Sequence, residues 1–313
     1  MHKLSTINHH FKNNVTMSTQ VQSEKMSLWI YAIPMIPVVI WGTNMVVTRY
    51  AASVIEPVSI SFWRILIALI LIFPFVCKSL RAEHRVITQN LAKLTALSFL
   101  AMVVYQCLSY TAGQTTTATN MSIINAFIPI FTIFVSLMVL GERPTIYGIT
   151  GSVISISGLF FLIGRGSFTG LFQGGFYFGD GLMIIAVMAY ALYGVLLRHW
   201  KLPISLGANL FVQTALGLLM HIPLLCFLGL KMIDASSAFP VFYAALLPSI
   251  VAPFMWMKAM QTLGPNRSSM FTNFGPIITA VIAYIYLNEQ WMYYHSIGTV
   301  MAIIGVVLAQ KKA

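Results

Sequence analysis

Long apolar runs recur along the chain from Leu28 onward, separated by short polar connections. A helix needs roughly 20 apolar residues to cross about 30 Å of hydrocarbon. The pattern therefore predicts an all-α polytopic membrane protein with ten transmembrane helices. The predicted spans are about 29–49, 58–77, 93–112, 118–140, 145–164, 181–199, 205–229, 239–261, 267–287 and 291–310.

The polar segments between these runs suggest how the chain is organised. Residues 1–28 are polar and lack the apolar core of a signal peptide, so we expect a disordered cytoplasmic tail, with Met17 or Met26 as an alternative start. The longest internal connections are expected at 78–92 and at 165–180. The second is a Gly-rich linker that separates a five-helix unit over 29–164 from another over 181–310.

The composition agrees with a lipid environment. Hydrophobic residues make up 58% of the chain and charged residues 8%, with a mean hydropathy of +0.83, whereas soluble domains carry about 25% charged residues. These values exclude an ordinary soluble enzyme and a disordered protein. The net charge of +11 comes from singly scattered basic residues, so we expect the lipid bilayer as a partner and no nucleic acid.

The distribution of Lys and Arg predicts the orientation of the chain. With the N-terminus inside, 13 basic residues fall on the cytoplasmic side, while Arg49, Arg165 and Lys231 fall outside; Arg64 and Lys258 stay within spans. Cytoplasmic loops normally carry this excess. We therefore expect both termini in the cytoplasm and a location in the plasma membrane, which is the inner membrane of a bacterium.

The two halves of the sequence are related by an internal repeat. A shift of 147 residues places residues of the first half on identical residues of the second: Pro129 on Pro276, Glu142 on Glu289, Tyr147 on Tyr294, Gly151 on Gly298 and Gly158 on Gly305. Each unit holds an odd number of spans, so the second must enter the membrane upside down. Inverted repeats are typical of secondary transporters, whose substrate site lies near the midplane between the repeats.

Several short motifs carry a family resemblance. The first span contains Trp41-Gly42-Thr43-Asn44, span four ends in Leu140-Gly141-Glu142-Arg143-Pro144, and span nine ends in Leu287-Asn288-Glu289. This pattern resembles the drug/metabolite transporter (DMT) superfamily, EamA type, over about residues 30–310. The resemblance implies ten helices and transport of small metabolites, often export of amino acids or related compounds. Asn288 departs from the Gly that the family usually has there.

Polar and aromatic side chains within the spans are the candidates for lining a substrate cavity. They would bind an uncharged or zwitterionic solute with an apolar or aromatic part, or alternatively join helices through hydrogen bonds. The candidates are Trp41, Asn44, Thr48, Arg64, Tyr105, Gln106, Asn120, Asn125, Tyr190, Tyr193, Gln213, Trp256, Thr272 and Asn273.

Pro129 and Pro276 are predicted to kink spans four and nine near their middles. A proline removes one helical hydrogen bond and displaces the carbonyl four residues earlier, here that of Asn125 or Thr272. Two interpretations are open. The kinked faces line the cavity, or the freed carbonyl groups accept hydrogen bonds from Asn and Thr side chains of the same helix.

Charged groups in or near the spans also have two interpretations each. Glu142 and Glu289 are structural acids that cap the helix following each of them, or they are coupling acids for protons. Arg64 binds a carboxylate or phosphate through its planar fork, or it extends to the outer interface. The sequence offers no catalytic residues, no metal-ligand spacing and no Gly-rich phosphate loop.

Together these features favour a secondary transporter that works by alternating access, exporting amino acids or related compounds. We expect a small-molecule substrate, no metal and no cofactor, and a monomer or homodimer. The alternative is a non-transporting membrane protein, an enzyme or a scaffold, that retains the transporter fold.

Overall fold

The computed structural model describes residues 29–141, 145–167, 169, 177–263 and 271–309. All regular elements over these ranges are helical. The expected tail 1–28, Glu142, half of the Gly-rich linker and the beginning of the ninth predicted span lie outside the described residues.

The helices are numbered in chain order. Those of the first half are α1 Trp29–Ala51, α2 Pro57–Gln89, α3 Leu91–Ser98, α4 Tyr105–Ala112, α5 Ala118–Asn125, α6 Ile128–Leu140 and α7 Ile146–Ile163. Those of the second half are α8 Phe178–Trp200, α9 Leu206–Leu228, α10 Ala235–Leu246, α11 Ala252–Leu263, α12 Gly275–Leu287 and α13 Tyr293–Ala309.

Most of these helices have the length and composition of membrane spans. Over the described ranges, seven helical segments are long and apolar enough to cross a bilayer, or eight if the bent pair of α5 and α6 is one span. The ninth and tenth predicted spans correspond to α12 and α13, which are shorter apolar helices there. The chain is therefore a multi-pass membrane protein.

The expected connection at 78–92 is wrong, because α2 continues as a helix to Gln89 and α3 begins at Leu91. At 33 residues and about 1.5 Å per residue, α2 is far longer than the hydrocarbon layer requires. The polar stretch after Cys77 contains Lys, Arg, Ala and Glu, which are good helix formers. A polar segment can therefore prolong the span beyond the membrane.

Spans three and eight each contain a π-bulge at an equivalent place. The first π-bulge, Phe99–Val104, joins α3 to α4, and the second π-bulge, Leu247–Val251, joins α10 to α11. Their starting residues are separated by nearly the same offset that relates the two halves. A π-bulge widens one helical turn and is often found at functional sites.

The two repeated prolines begin helices instead of kinking continuous ones. Pro129 lies in the first turn of α6, after a break that bends α5 against α6 by 43°. Pro276 lies in the first turn of α12, directly after a short 3-10 turn over Thr272–Phe274. A proline at such a position lacks only an N–H that the helix does not use. The bend predicted in span four is therefore present at Pro129, as a break between two helices, and Pro276 likewise begins α12.

Many contacts between a helix of one half and a helix of the other are matched by a contact between the counterparts of these two helices. Helix α1 packs on α11 and α12, and its counterpart α8 packs on α4 and α6. Similarly, α2 contacts α10 while α9 contacts α3, and equivalent helices pack on each other in the pairs α2 with α9 and α7 with α13. The internal repeat of the sequence is thus matched by the packing of the helices.

Candidate functional site

Arg64 is a buried cation in the interior of the helical bundle. It lies on the face of α2 that also buries Ile60 and Ala68, one helical turn to either side, and only 5% of the residue is exposed. The side chain is surrounded by protein groups, with Gln106, Tyr110 and Ser249 as hydrogen-bond partners. The interpretation that Arg64 reaches the outer interface therefore does not hold.

The guanidinium of Arg64 is held by three uncharged side chains. Its Nη1 donates to Gln106 Oε1 at 2.7 Å and to the hydroxyl of Tyr110 at 3.2 Å. Its Nε and Nη2 both donate to Ser249 Oγ, at 3.2 and 2.7 Å. The Tyr110 ring centroid lies 5.9 Å from the guanidinium carbon. One hydroxyl oxygen therefore occupies a two-donor edge of the guanidinium.

The two π-bulges position these partners. Gln106 and Tyr110 belong to α4, which begins directly after the first π-bulge, and Ser249 lies within the second. The hydroxyl of Ser249 donates to the carbonyl of Ala244 at 2.7 Å. Because its proton is used there, its lone pairs face the guanidinium. Arg64 thus lies between two equivalent irregularities of the repeat.

No carboxylate of the described residues is a partner of Arg64. Glu56 is exposed at the N-terminus of α2. The other four carboxylates bind groups elsewhere: Glu83 to the N–H of Ser205, Asp180 to Thr116, Asp234 to Ser237 and Glu289 to Ala118. A buried charge without a counter-charge is costly, so the site favours an anion.

An aromatic cluster begins at Tyr105, which directly precedes Gln106 in α4. The rings of Tyr105 and Tyr190 lie 4.8 Å apart, and those of Tyr190 and Tyr193 lie 5.3 Å apart. The hydroxyl of Tyr105 donates to Asn125 Oδ1 at 3.1 Å, at the end of α5. The structure therefore brings four of the candidates of the sequence analysis together, namely Tyr105, Tyr190, Tyr193 and Asn125.

A second group of candidates lies along α1. Trp41 packs edge-on against Trp256 of α11 with centroids 5.6 Å apart. Thr48 is buried, and Asn44 Oδ1 is buried with no hydrogen-bond partner among the described residues. An unsatisfied buried oxygen is unusual in a folded protein, and it is consistent with a polar ligand or water between the helices.

Of the remaining candidates, Gln213 lies beside Tyr193 of the aromatic cluster. Asn120 donates to Asp180 Oδ1 at 3.3 Å, and Gln213 donates to Asn209 Oδ1 at 2.9 Å. Thr272 precedes α12, while the side chain of Asn273 lies outside the described part of the chain. Neither Asn120 nor Gln213 is among the hydrogen-bond partners that the structure gives Arg64.

A narrow crevice beside the start of α12 has no room for a water molecule. Its lining is Ile123, Ala126, Pro276, Thr299, Ala302 and Ile303. Pro276 therefore faces a narrow and mainly apolar gap, which offers no room for a solute in this arrangement of the helices.

Glu289 caps a different helix from the one that we expected. Its Oε1 accepts the N–H of Ala118 at 2.8 Å, and its Oε2 accepts the N–H and the hydroxyl of Thr119 at 3.1 and 2.8 Å. These groups belong to the first turn of α5, in the other half of the chain, and not to α13. A helix N-terminus stabilises a carboxylate in this way.

Asp180 reinforces the same end of α5. Its carboxylate accepts the hydroxyl of Thr116 and, at 3.3 Å, the backbone N–H of Tyr177, so it caps its own helix α8 as well. Glu289 and Asp180, both from the second half, thus hold the chain around the start of α5 from two sides.

Two partners of Arg64, Tyr110 and Ser249, were not among the sequence candidates. Ser249 follows Pro248 within an apolar run, and a hydroxyl in such a run is the only signal that marks it. Hydropathy carries no sign of the π-bulge that turns this hydroxyl toward Arg64.

Comparison with known proteins agrees with the repeat and the helical architecture. Residues 27–164 and 177–310 each match the model of the EamA-like transporter family. The chain belongs to the EamA-like transporter family. The sequence resemblance to EamA-type transporters is therefore confirmed.

Relatives within the EamA-like family are named as transporters. An uncharacterized transporter of Archaeoglobus fulgidus is 25% identical over 87% of this chain and 94% of its own length. A probable terminal-alkyne amino-acid exporter of Streptantibioticus cattleyicolor is 22% identical over 72% of this chain and 74% of its own. A solved crystal structure with 15% identity, a TM-score of 0.56 and coverage of 90% and 96% shares the fold.

Proposed function

We propose that the protein is a secondary transporter that exports amino acids or related small metabolites across the plasma membrane by alternating access. Membership of a transporter family supports transport in general. The ten-helix arrangement of two inverted five-helix repeats, with both termini in the cytoplasm, is part of the proposal.

The observation that carries the proposal is the symmetry with which the two halves pack on each other. Each contact that α1 or α2 makes across the bundle has a counterpart made by α8 or α9. In an inverted repeat, exchanging the conformations of the two halves converts an arrangement closed on one side into one closed on the other. The two π-bulges at equivalent places provide matched points for such a change.

The contacts at the start of α5 supply the outer closure in this proposal. In the proposed orientation, Ala118 and Glu289 both lie on the outer side. Their hydrogen bond joins the first half to the second. Opening the outer side requires the carboxylates of Glu289 and Asp180 to release α5, or α5 to move together with them.

Export of amino acids is supported by one relative and by the chemistry of the site. The Streptantibioticus cattleyicolor protein is named as a probable exporter of an amino acid. The site in this chain holds a buried cation bonded to Gln106 and Tyr110, and a stack of three tyrosines begins one residue before Gln106. Such a combination suits a small solute with one negative group and an apolar part.

Transport into liposomes tests the proposal. Purified protein is reconstituted, and uptake of a mixed pool of labelled amino acids and small metabolites is measured with and without an inward proton gradient. We expect saturable uptake of a subset of the pool, absent from protein-free liposomes. No saturable uptake of any member, by protein that still unfolds cooperatively on heating, would contradict transport of this solute class.

A further inference from the structure

We infer that Arg64 binds the carboxylate of the transported solute along the guanidinium edge that Ser249 now occupies. This inference rests on the proposed transport function and specifies its substrate class: monocarboxylates with an apolar or aromatic side chain, amino acids among them.

The geometry of the Ser249 contact is the first argument. A carboxylate pairs best with arginine through two parallel N–H···O bonds. The Nε and Nη2 groups of Arg64 form such a two-donor edge, but they share one oxygen, Ser249 Oγ, at 3.2 and 2.7 Å. Each donor of that edge would gain its own charged acceptor if a carboxylate displaced the hydroxyl.

The charge balance is the second argument. Arg64 is 5% exposed, and its partners Gln106, Tyr110 and Ser249 are all neutral. Five of the chain's seven acids are described, and each of these is exposed or bound elsewhere. A carboxylate would compensate the buried charge, which neutral partners leave unmatched.

A single positive charge favours a carboxylate over a phosphate. A phosphate ester carries up to two negative charges and usually meets several cationic or N–H donors. Among the described residues, no second Lys or Arg takes part in the Arg64 hydrogen-bond network. One guanidinium therefore matches one carboxylate.

The neighbouring tyrosines provide a place for the rest of the solute. Tyr105 adjoins Gln106 in the chain, and its ring begins the Tyr105–Tyr190–Tyr193 stack. Aromatic faces of this kind pack well on apolar or aromatic side chains. A solute held by its carboxylate at Arg64 would extend its side chain toward these rings.

The site also has a means of opening. Ser249 lies in the second π-bulge, and Arg64 lies in α2 of the other half. A movement of α10 and α11 away from α2 separates the two residues and exposes the two-donor edge. Solute binding would thus be tied to the relative position of the halves.

Paired ligands test the inference directly. Binding of L-phenylalanine, L-leucine and L-methionine to the purified full-length protein is measured by thermal stabilisation in detergent, beside the three matching carboxamides and phenyl phosphate. We expect the wild type to bind at least one acid about tenfold or more tightly than its amide. Equal affinity for every acid and amide pair, or no binding of any acid, would overturn the inference, as would preference for phenyl phosphate.

Substitutions of Arg64 test whether the preference for acids over amides arises from the guanidinium edge formed by Nε and Nη2. Arg64→Gln should abolish the difference between acid and amide, and Arg64→Lys, which keeps the charge but loses the fork, should reduce it. Arg85→Gln removes an exposed arginine from the same helix and should leave the preference unchanged. A preference that survives in Arg64→Gln would overturn the inference.

The variant Ser249→Ala keeps the Arg64 cation and tests whether the Arg64–Ser249 pair binds ligand or only stabilises the fold. Because the hydroxyl competes for the two-donor edge, the variant should bind the acids with equal or several-fold higher affinity. If Ser249 and Arg64 only stabilise the fold, Ser249→Ala would instead weaken acid and amide binding together. That result would overturn the inference even if Arg64→Gln fails to fold.

Transport measured on the same preparations separates the inference from the proposed function. An acid preference that depends on Arg64, without uptake into liposomes, would support the site and contradict the transporter. Saturable uptake that does not distinguish acids from amides would support the transporter and contradict the site.

Discussion

The carboxylate of Glu289 accepts the backbone N–H of Ala118 at 2.8 Å, although 171 residues separate the two in the chain. Its second oxygen binds the N–H and hydroxyl of Thr119. The acid that ends α12 therefore caps α5 of the other half. This contact joins the start of span four to the end of span nine.

Replacing Glu289 should lower the unfolding free energy of the protein more than replacing Glu83. Glu289→Gln loses a charge that accepts three hydrogen bonds at a helix start, and we expect a loss of about 1–3 kcal/mol in unfolding free energy. Glu83→Gln is the matched control, because Glu83 accepts a single backbone N–H, from Ser205 at 2.8 Å. Thermal unfolding in detergent measures both, and equal losses would contradict the special role of Glu289.

The two acids at the start of α5 should act together. Asp180 binds Thr116 and Asn120, which flank the groups that Glu289 caps. Residues that share one structural element are expected to couple by about 0.5–3 kcal/mol. A double-mutant cycle with Asp180→Asn and Glu289→Gln measures this coupling, and strictly additive losses would show that each acid acts alone.

The sequence predicted the bounds of several helices well, because hydrophobicity and length determine them. Helix α9, for example, covers Leu206–Leu228 where the apolar run predicted 205–229. The continuation of α2 beyond Cys77 was missed, since a polar stretch of good helix formers and a polar loop have similar hydropathy.

The candidate site was only partly predictable. Arg64 and Gln106 were recognised as polar groups within apolar runs, but their proximity depends on how helices of both halves pack. Ser249 was missed because a π-bulge changes the direction of side chains without changing the hydrophobic pattern. The partner of Glu289 was likewise assigned to the next helix, since a single sequence does not reveal contacts over such separations.

Helices α7 and α13 should tolerate no added methyl group where they touch. A Cβ at Gly305 would overlap with Ser155 Oγ and the carbonyl of Gly151. Gly305→Ala should therefore cost about 1–3 kcal/mol through overpacking. At Gly194 of α8 a Cβ would have no neighbour within 4 Å, so Gly194→Ala should be neutral or slightly stabilising. Thermal unfolding of the two variants checks the difference, and a harmless Gly305→Ala would contradict the close packing.

The ends of α6 and α12 should respond in opposite directions to substitution. Gly141 and Asn288 both adopt the left-handed conformation, with φ of 67° and 54°. Gly141→Ala should lose about 1 kcal/mol, because a Cβ is strained there, whereas Asn288→Gly should be neutral or stabilising. Unfolding midpoints of both variants test this, and a stabilising Gly141→Ala would exclude the left-handed cap.

Exchange across the membrane tests the central claim most directly. Liposomes containing the protein are loaded with the labelled amino acid that gives the strongest uptake, and its efflux is followed with and without the unlabelled amino acid outside. Alternating access predicts that efflux saturates with internal concentration and is accelerated by the external solute, since a loaded site returns the carrier. Efflux that rises linearly with concentration and ignores the external solute would contradict alternating access and indicate a channel.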